Sequence, residues 1–271
     1  MGKLDGKVAF ITGAARGQGR SHAIRLAEEG ADIIGVDICA QISSIPYELA
    51  SNDDLTETVR EVEARGRRMV ARRADVRDRQ QLAQAFGDGV AQLGGVDIVL
   101  ANAGVSPTSL RDHPRIWQDV LDVNLNGVFH TVDVAAPTLI EQGRGGAIVI
   151  TGSTSGAIGV PSTSPSELSY TASKHAVVGL MRSYANVLAP HSIRVTVVHP
   201  TAVNTYMATN PALQEVFNAN PDLATAYSNA LPVPWVEPID ISNAIAWLVS
   251  DEGRFVTGTE IRVDAGLINK A

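Results

Sequence analysis

Tyr170 and Lys174 stand four residues apart at the start of a run of helical period (YTASKHAVVGLMRSYANVL), so a phenol and an ammonium project from one helix face. A phenol with an ordinary pKa near 10 is a poor base at neutral pH, and a neighbouring cation favours its phenolate. Such a pair could take the proton of an alcohol. It is commonplace on helix surfaces when alone, and gains meaning from two further groups. Ser153 lies just past an apolar run, and Asn124 lies in a long helical pattern that follows another. Separate strand ends would then deliver a hydroxyl, an amide, a phenol and an ammonium, a set suited to general acid–base chemistry on a hydroxyl or carbonyl.

The segment Thr12-Gly13-Ala14-Ala15-Arg16-Gly17-Gln18-Gly19 follows the first apolar run and opens the first helical pattern. Gly13, Gly17 and Gly19 offer backbone without Cβ where a pyrophosphate could approach, and Arg16 and Gln18 lie between them. A helix N-terminus there presents unpaired N–H groups and a positive dipole end to phosphate. The spacing is GxxxGxG and not GxGxxG, so a plain glycine-rich βα turn is the other reading. Asp37 ends the next run, 18 residues beyond Gly19, close to the position where an acid hydrogen-bonds a ribose. A turn or capping aspartate is the alternative. A carboxylate at that place would repel the 2′-phosphate of NADP by roughly 4 kcal/mol per pair of unit charges at 4 Å and an effective dielectric constant of 20. NAD is therefore the expected cofactor. Arg16 argues the other way, since a guanidinium in the turn could pair with that phosphate, but Ile38 and Cys39 add no positive charge beside Asp37. Asp75, after the third run, could accept from an adenine amino group or cap a helix.

These residues need a scaffold that brings strand ends together. Apolar runs at 8–12, 32–37, 68–71, 98–101, 147–151, 194–199 and 261–263 read as seven strands, mostly without the polar alternation of a half-exposed sheet. Helical patterns at 19–29, 54–65, 79–93, 115–141, 170–188 and 239–250 separate them, as parallel crossovers require. The expected fold class is α/β, a single-domain Rossmann-like doubly wound parallel sheet with helices on both faces. Two stretches break the alternation. Residues 39–53 (CAQISSIPYELASND) read as a long polar inserted loop near the cofactor, and 204–238 as a proline-rich loop serving as substrate lid. Tyr206, Met207, Phe217, Tyr227 and Trp235 in the second could line an apolar pocket or simply pack the lid down.

The 271 residues, 45% hydrophobic and 19% charged, suit one globular domain spanning 1–271. A net charge of -7 creates no attraction for nucleic acid or an anionic membrane. A single cysteine, Cys39, forms no intramolecular disulfide and suits a reducing cytosol. The six histidines show no metal-ligand spacing, so no metal is expected. With no apolar leader or membrane-length run, the expected location is cytoplasmic.

Asn102-Ala103-Gly104, Ile148 to Gly156 (IVITGSTSG) and Gly258 to Gly266 (GTEIRVDAG) complete a pattern with the glycine turn, Asp37 and the four polar groups. Over nearly its whole length the chain resembles the classical short-chain dehydrogenase/reductase family. The resemblance implies that Tyr170 is the proton acceptor, that Lys174 stabilises its phenolate and hydrogen-bonds the nicotinamide ribose, and that Ser153 holds the substrate oxygen. Asn124 would hold a water linking Lys174 to solvent. Further cofactor contacts are implied at Ile38, Val76, Asn102, Ala103 and Gly104, and at Pro200, Thr201 and Val203. Substrate contacts are implied at Ser153 and Ser155, with Tyr206, Met207 and Trp235. Departures are Ala101 where a second Asn is usual, Thr201 where Gly is usual, and extra residues around Ser164 to Glu167; the last two bear on pocket shape.

The stretches RGQGRSH from Arg16, Val36-Asp37-Ile38-Cys39 with its loop, and HPTAV from His199 narrow the resemblance to the mycofactocin-coupled, carveol-dehydrogenase-like branch. There the extra loop is thought to cover NAD so that it does not exchange, and the peptide-derived carrier mycofactocin reoxidises it. The expected activity is hydride transfer between NAD and an apolar secondary alcohol or ketone, such as the cyclic terpenoid carveol. The rival readings are a freely exchanging NAD(P)-dependent ketone reductase and a non-catalytic dinucleotide-sensing protein. Packing of the helices at 115–141 and 170–188 across a two-fold axis, as in the resembled family, implies a homotetramer of 222 symmetry.

Overall fold

The computed structural model describes residues 2–111, 113–159 and 161–270. Strands β1 (Val8–Thr12) and β2 (Asp32–Asp37) are buried at every position, as only a strand covered on both faces can be. They join β3 (Met69–Arg73), β4 (Ile98–Ala101), β5 (Gly146–Thr151), β6 (Ile193–Pro200) and β7 (Glu260–Val263) in one sheet of order β3-β2-β1-β4-β5-β6-β7. Every pairing is parallel. The main helices are α1 (Gly17–Glu28), α2 (Asn52–Glu63), α3 (Arg79–Leu93), α4 (Ile116–Leu121), α5 (Gly127–Gln142) and α6 (Pro165–Leu188). The chain builds outward from β1 through β2 to β3, then returns to lay β4 on the other side of β1. The loops after β1 and β4 therefore diverge and leave a crevice between them. No helix among the described residues is long and apolar enough to cross a membrane.

Four expectations change. The pattern at 115–141 is not one helix: between α4 and α5 the residues Asp122–Asn126 form a turn of π-helix. That wider turn lodges Asn124 on the inner face, as such bulges often do at functional sites. The extra residues around Ser164 to Glu167 open α6 early, with Pro165 in the first turn, where its missing N–H costs nothing.

The stretch 204–238 is largely helical, comprising α7 (Tyr206–Thr209), α8 (Pro211–Ala219) and α9 (Pro221–Ala226) before α10 (Pro238–Val249). Prolines 211, 221 and 238 mark helix starts there, not an absence of helix. Finally, 39–53 is not a polar excursion. Ile42, Ser44, Ile45, Tyr47 and Ala50 are buried, and Ile42, Ile45 and Tyr47 join the main core cluster. Each buried isoleucine contributes about 1.5–3 kcal/mol relative to exposure. The Gln41 amide holds the coil together: Nε2 donates to the carbonyls of Ile42, Ile45 and Tyr47, and Oε1 accepts from the Leu49 N–H.

Candidate active site

Tyr170 and Lys174 sit one turn apart on α6, where it passes the end of β5. Lys174 is almost fully buried, its Nζ donates to the Thr151 carbonyl at 2.8 Å, and it lies 5.7 Å from the Tyr170 ring centroid. Burial alone pulls the Lys174 ammonium down to about 8. Burial likewise pushes the Tyr170 phenol up, and its hydrogen bond with Ser153 offsets part of that rise. Ser153 caps the short turn Thr154–Gly156, with its Oγ accepting from the Ser155 N–H at 3.2 Å. The Ser153 hydroxyl faces the Tyr170 phenol, and its proton can turn to an oxygen held between the two.

Asn124 is fully buried and grips Val105 twice at 2.8 Å, accepting from its N–H and donating to its carbonyl. A Cβ on Gly104 would stand 3.4 Å from Asn124 Oδ1 and 3.7 Å from Lys174 Nζ. The glycine keeps open the space between those two groups.

Beside this set lies a cleft of about 960 Å³, its open mouth included, at the ends of β1, β2 and β4. Gly13, Gly17, Gly19 and Gln18 form one wall, Asp37 and Ile38 a second, and Asp75, Val76, Asn102, Ala103 and Gly104 the floor. Gly13 has φ +70°, and a Cβ there would come within 2.9 Å of Ala103 Cα; at Gly19 it would overlap the Gly13 carbonyl at 1.9 Å. Only glycine fits at either place.

Asp37 is buried, with one carboxylate oxygen accepting from the Ala15 N–H at 3.1 Å and the other from Cys39 N–H at 3.2 Å. Burial raises its pKa, while those N–H groups and the Arg16 charge oppose the rise. Arg16 turns to the 39–53 segment, donating to the Glu48 carbonyl and lying 5.4 Å above the Tyr206 ring. Asp75 is held by Arg77 at 2.7–3.0 Å, and the cap of α3 is Asp78, so the capping role falls to the later aspartate.

These features answer to a dinucleotide. The cradle has no Cβ atoms where the pyrophosphate would pass, the buried acid has lone pairs left for ribose hydroxyls, and Gln18 Oε1 is buried without a partner. The residues present fit the group. Among the described residues no cluster of His, Cys, Asp or Glu forms a metal site.

Of the other residues singled out in the sequence, Tyr206 and Met207 line the cleft and Ser155 is buried beside Ser153. Pro200 ends β6, Thr201 donates to Asn229 Oδ1 at 2.6 Å, and Val203 pairs with Val236. Trp235 is 38% exposed and is not among the cleft-lining residues. Sequence reasoning missed Tyr47, whose hydroxyl accepts from the Ser106 N–H at 3.1 Å and whose ring meets Tyr206 edge-on at 6.3 Å. Its signal was the recurrence of Ile42, Ile45 and Tyr47 within an otherwise polar stretch. Tyr227, read from the sequence as lining an apolar pocket or packing the lid, turns its hydroxyl to the Ser155 side chain and is pushed by burial to about 12.

The chain is similar to known proteins. A family profile described as enoyl-(acyl carrier protein) reductase matches residues 13–268. An uncharacterised oxidoreductase of Mycobacterium tuberculosis is 56% identical, with 98% of each chain covered. The (-)-trans-carveol dehydrogenase of Rhodococcus erythropolis is 47% identical, covering 98% of this chain and 99% of its own. The crystal structure of carveol dehydrogenase from Mycobacterium avium in complex with NAD superposes with a TM-score of 0.93, at 47% identity and 100% coverage of both chains.

Proposed function

The chain belongs to the classical short-chain dehydrogenase/reductase family, NAD-dependent oxidoreductases acting on alcohols, and from that premise we propose that its substrate is an apolar secondary alcohol, a cyclic terpenoid of the carveol kind. The observation that carries the reading is Lys174, buried beside a Tyr170 phenol that is hydrogen-bonded to Ser153, at the edge of a dinucleotide-shaped cleft. NAD, when bound, supplies the hydride acceptor and a positive ring.

The chain's own groups do the rest. Ser153 donates to the substrate oxygen and aims its proton at Tyr170. The phenolic oxygen of Tyr170 takes that proton, and the Lys174 ammonium stabilises the phenolate. Asn124 holds a water beside Lys174 that links the ammonium to solvent. Gly13, Gly17, Gly19 and Asp37 hold the pyrophosphate and adenosine ribose. With Arg16 turned to Glu48, the carboxylate of Asp37 sets the preference for NAD over NADP. Met207, Tyr206 and Val105 give the cleft the apolar surface that a terpenoid needs.

The same reading makes NAD slow to exchange and mycofactocin its reoxidant. Ile42, Tyr47, Leu49 and Ala50 wall the cleft from the 39–53 segment, so release must break contacts that also hold the core. Each 1.4 kcal/mol of closure slows release about tenfold. Assembly follows the resembled family: Trp117, Phe129, Ile140, Leu168 and Val187 leave apolar side chains exposed on α4 to α6, as a homotetramer would cover. Light scattering that gives a monomer at micromolar concentration excludes it.

The central experiment denatures freshly purified protein, identifies the released nucleotide by mass, and offers the intact protein (-)-trans-carveol. NAD should be present and be reduced once, free NAD should not sustain turnover, and an artificial electron acceptor should restore it. Tyr170→Phe should keep the nucleotide and lose roughly 10²–10⁴-fold in rate. Rapid, sustained turnover on free NAD refutes the trapped-cofactor reading. A Tyr170→Phe rate within tenfold of the parent refutes the assignment of Tyr170.

A further inference from the structure

His199, on β6, is fully buried, takes no part in the proton path above, and yet touches the residue that holds the substrate oxygen. Its Nδ1 lies 3.1 Å from the Ser153 N–H nitrogen and 2.5 Å from the Ser153 carbonyl oxygen. Its Nε2 lies 3.1 Å from a carboxylate oxygen of Glu260 on β7, whose other oxygen accepts from Arg182 of α6 at 2.8 Å. Two glycines make room for the ring. A Cβ on Gly152 would stand 2.7 Å from Nδ1, and one on Gly156 would stand 3.0 Å from Cε1. Gly152 and Gly156 bracket Ser153, so the short turn that aims the serine is built around the imidazole.

We infer that His199 is a positioning residue for Ser153: Glu260 bounds the ring at Nε2, Nδ1 donates to the Ser153 carbonyl at 2.5 Å, and the turn held in this way sets the direction of the serine hydroxyl. The inference rests on the reading of Ser153 as the group that holds the substrate oxygen.

The proton on Nδ1 follows from the distances. A carbonyl oxygen has only lone pairs, and at 2.5 Å it requires a donor on the ring nitrogen that faces it. Nδ1 therefore carries a proton, and the Ser153 N–H nitrogen lies farther off, at 3.1 Å. The charged groups facing the ring are Glu260 from β7 and Lys174 from α6, with Arg182 behind Glu260; the turn of Ser153 contributes none. Burial, with Lys174, outweighs the Ser153 and Glu260 contacts and holds His199 below its ordinary 6.5. The neutral ring is the working form at neutral pH.

Two readouts test this on the intact holoprotein. The first is the nitrogen spectrum of ¹⁵N-histidine-labelled protein, with His199 identified by its loss in His199→Asn. A proton on Nδ1 at pH 7 supports the inference; a neutral ring protonated on Nε2 alone overturns it. The second is single-turnover reduction of the bound nucleotide by carveol. His199→Phe should slow hydride transfer roughly ten- to a hundredfold, as misplacing a group by an ångström does. In His199→Asn, Nδ2 can still donate to the Ser153 carbonyl, so most of the rate should return. A His199→Phe rate equal to the parent's, or a His199→Asn rate no higher than that of His199→Phe, overturns the inference. If the parent does not react with carveol, the proposed substrate class fails, and the nitrogen spectrum still decides the role of His199.

Discussion

The coil at 39–53 and the helical stretch at 204–238 both interrupt the alternation of strand and helix, and both flank the cleft, but they solve the same backbone problem in opposite ways. Buried N–H and carbonyl groups must find partners. The first segment has no regular structure and is buried, so side chains supply those partners: the Gln41 amide meets three carbonyls and one N–H of its own coil. Ser44 donates to the buried Asp119 of α4 at 2.7 Å, and Tyr47 accepts from the Ser106 N–H. The second segment satisfies its backbone within short helices and need not be buried. α7 and α9 bury no residue, and α8 buries Val216. Both contribute to the cleft lining, the first through Ile42, Tyr47, Leu49 and Ala50 and the second through Thr205, Tyr206 and Met207. They meet where Tyr206 of α7 touches Tyr47 and lies beneath Arg16.

If that contrast holds, a charge in the first segment is ruinous. Ile45→Asp should cost about 3 kcal/mol or more, since it places an unpaired carboxylate in the core. Urea unfolding measures it, and a loss below 1 kcal/mol would mean that the coil can leave the core freely.

Next in size is Asp119, the anchor of the coil. Burial alone would raise its pKa, but the Ser44 hydroxyl and the Arg115 and Arg77 guanidinium groups prevail and hold it below its ordinary 3.8. A carboxyl lowered in this way binds fewer protons folded than unfolded. Its contribution is complete above 3.8 and is lost as pH falls through the lower folded value. Asp119→Asn should cost about 1–3 kcal/mol at neutral pH and flatten the acid end of the stability curve. An unchanged acid profile would separate the anchor from the coil.

Tyr206→Ala tests the contact between the segments. Losing an aromatic pair and a cation–π contact is worth about 1 kcal/mol, so nucleotide release should quicken roughly fivefold with little change in melting temperature. Stopped-flow displacement of the bound nucleotide reads this out. A large fall in melting temperature would show that the helical stretch is as structural as the coil. The smallest effect is expected at Leu231, 59% exposed in the second segment. Leu231→Asp should stay within about 0.5 kcal/mol of the parent in urea, and a loss like that of Ile45→Asp would erase the distinction.

Much of the scaffold was legible because its signals are local. The apolar runs at 8–12, 32–37 and 98–101 match β1, β2 and β4, since a strand buried on both faces writes itself as an unbroken apolar run. The glycine turn was legible because Gly13 and Gly19 answer to sterics within a few residues of themselves or at the next strand end. Tyr170 and Lys174 share a helix face by spacing alone, and the structure brings both beside Ser153.

What the chain alone left open was settled by contacts between residues distant in sequence. Whether Arg16 faces a phosphate site or the neighbouring coil depends on Glu48, 32 residues away. Whether the polar letters of 39–53 lie in solvent or in the core depends on Asp119, 75 residues from Ser44. The turn that aims Ser153 depends on His199, 46 residues on, and on Glu260 behind it. Polar side chains have the same local propensities whether water or a buried partner satisfies them, so only the folded chain, by bringing the partner, decides which they meet.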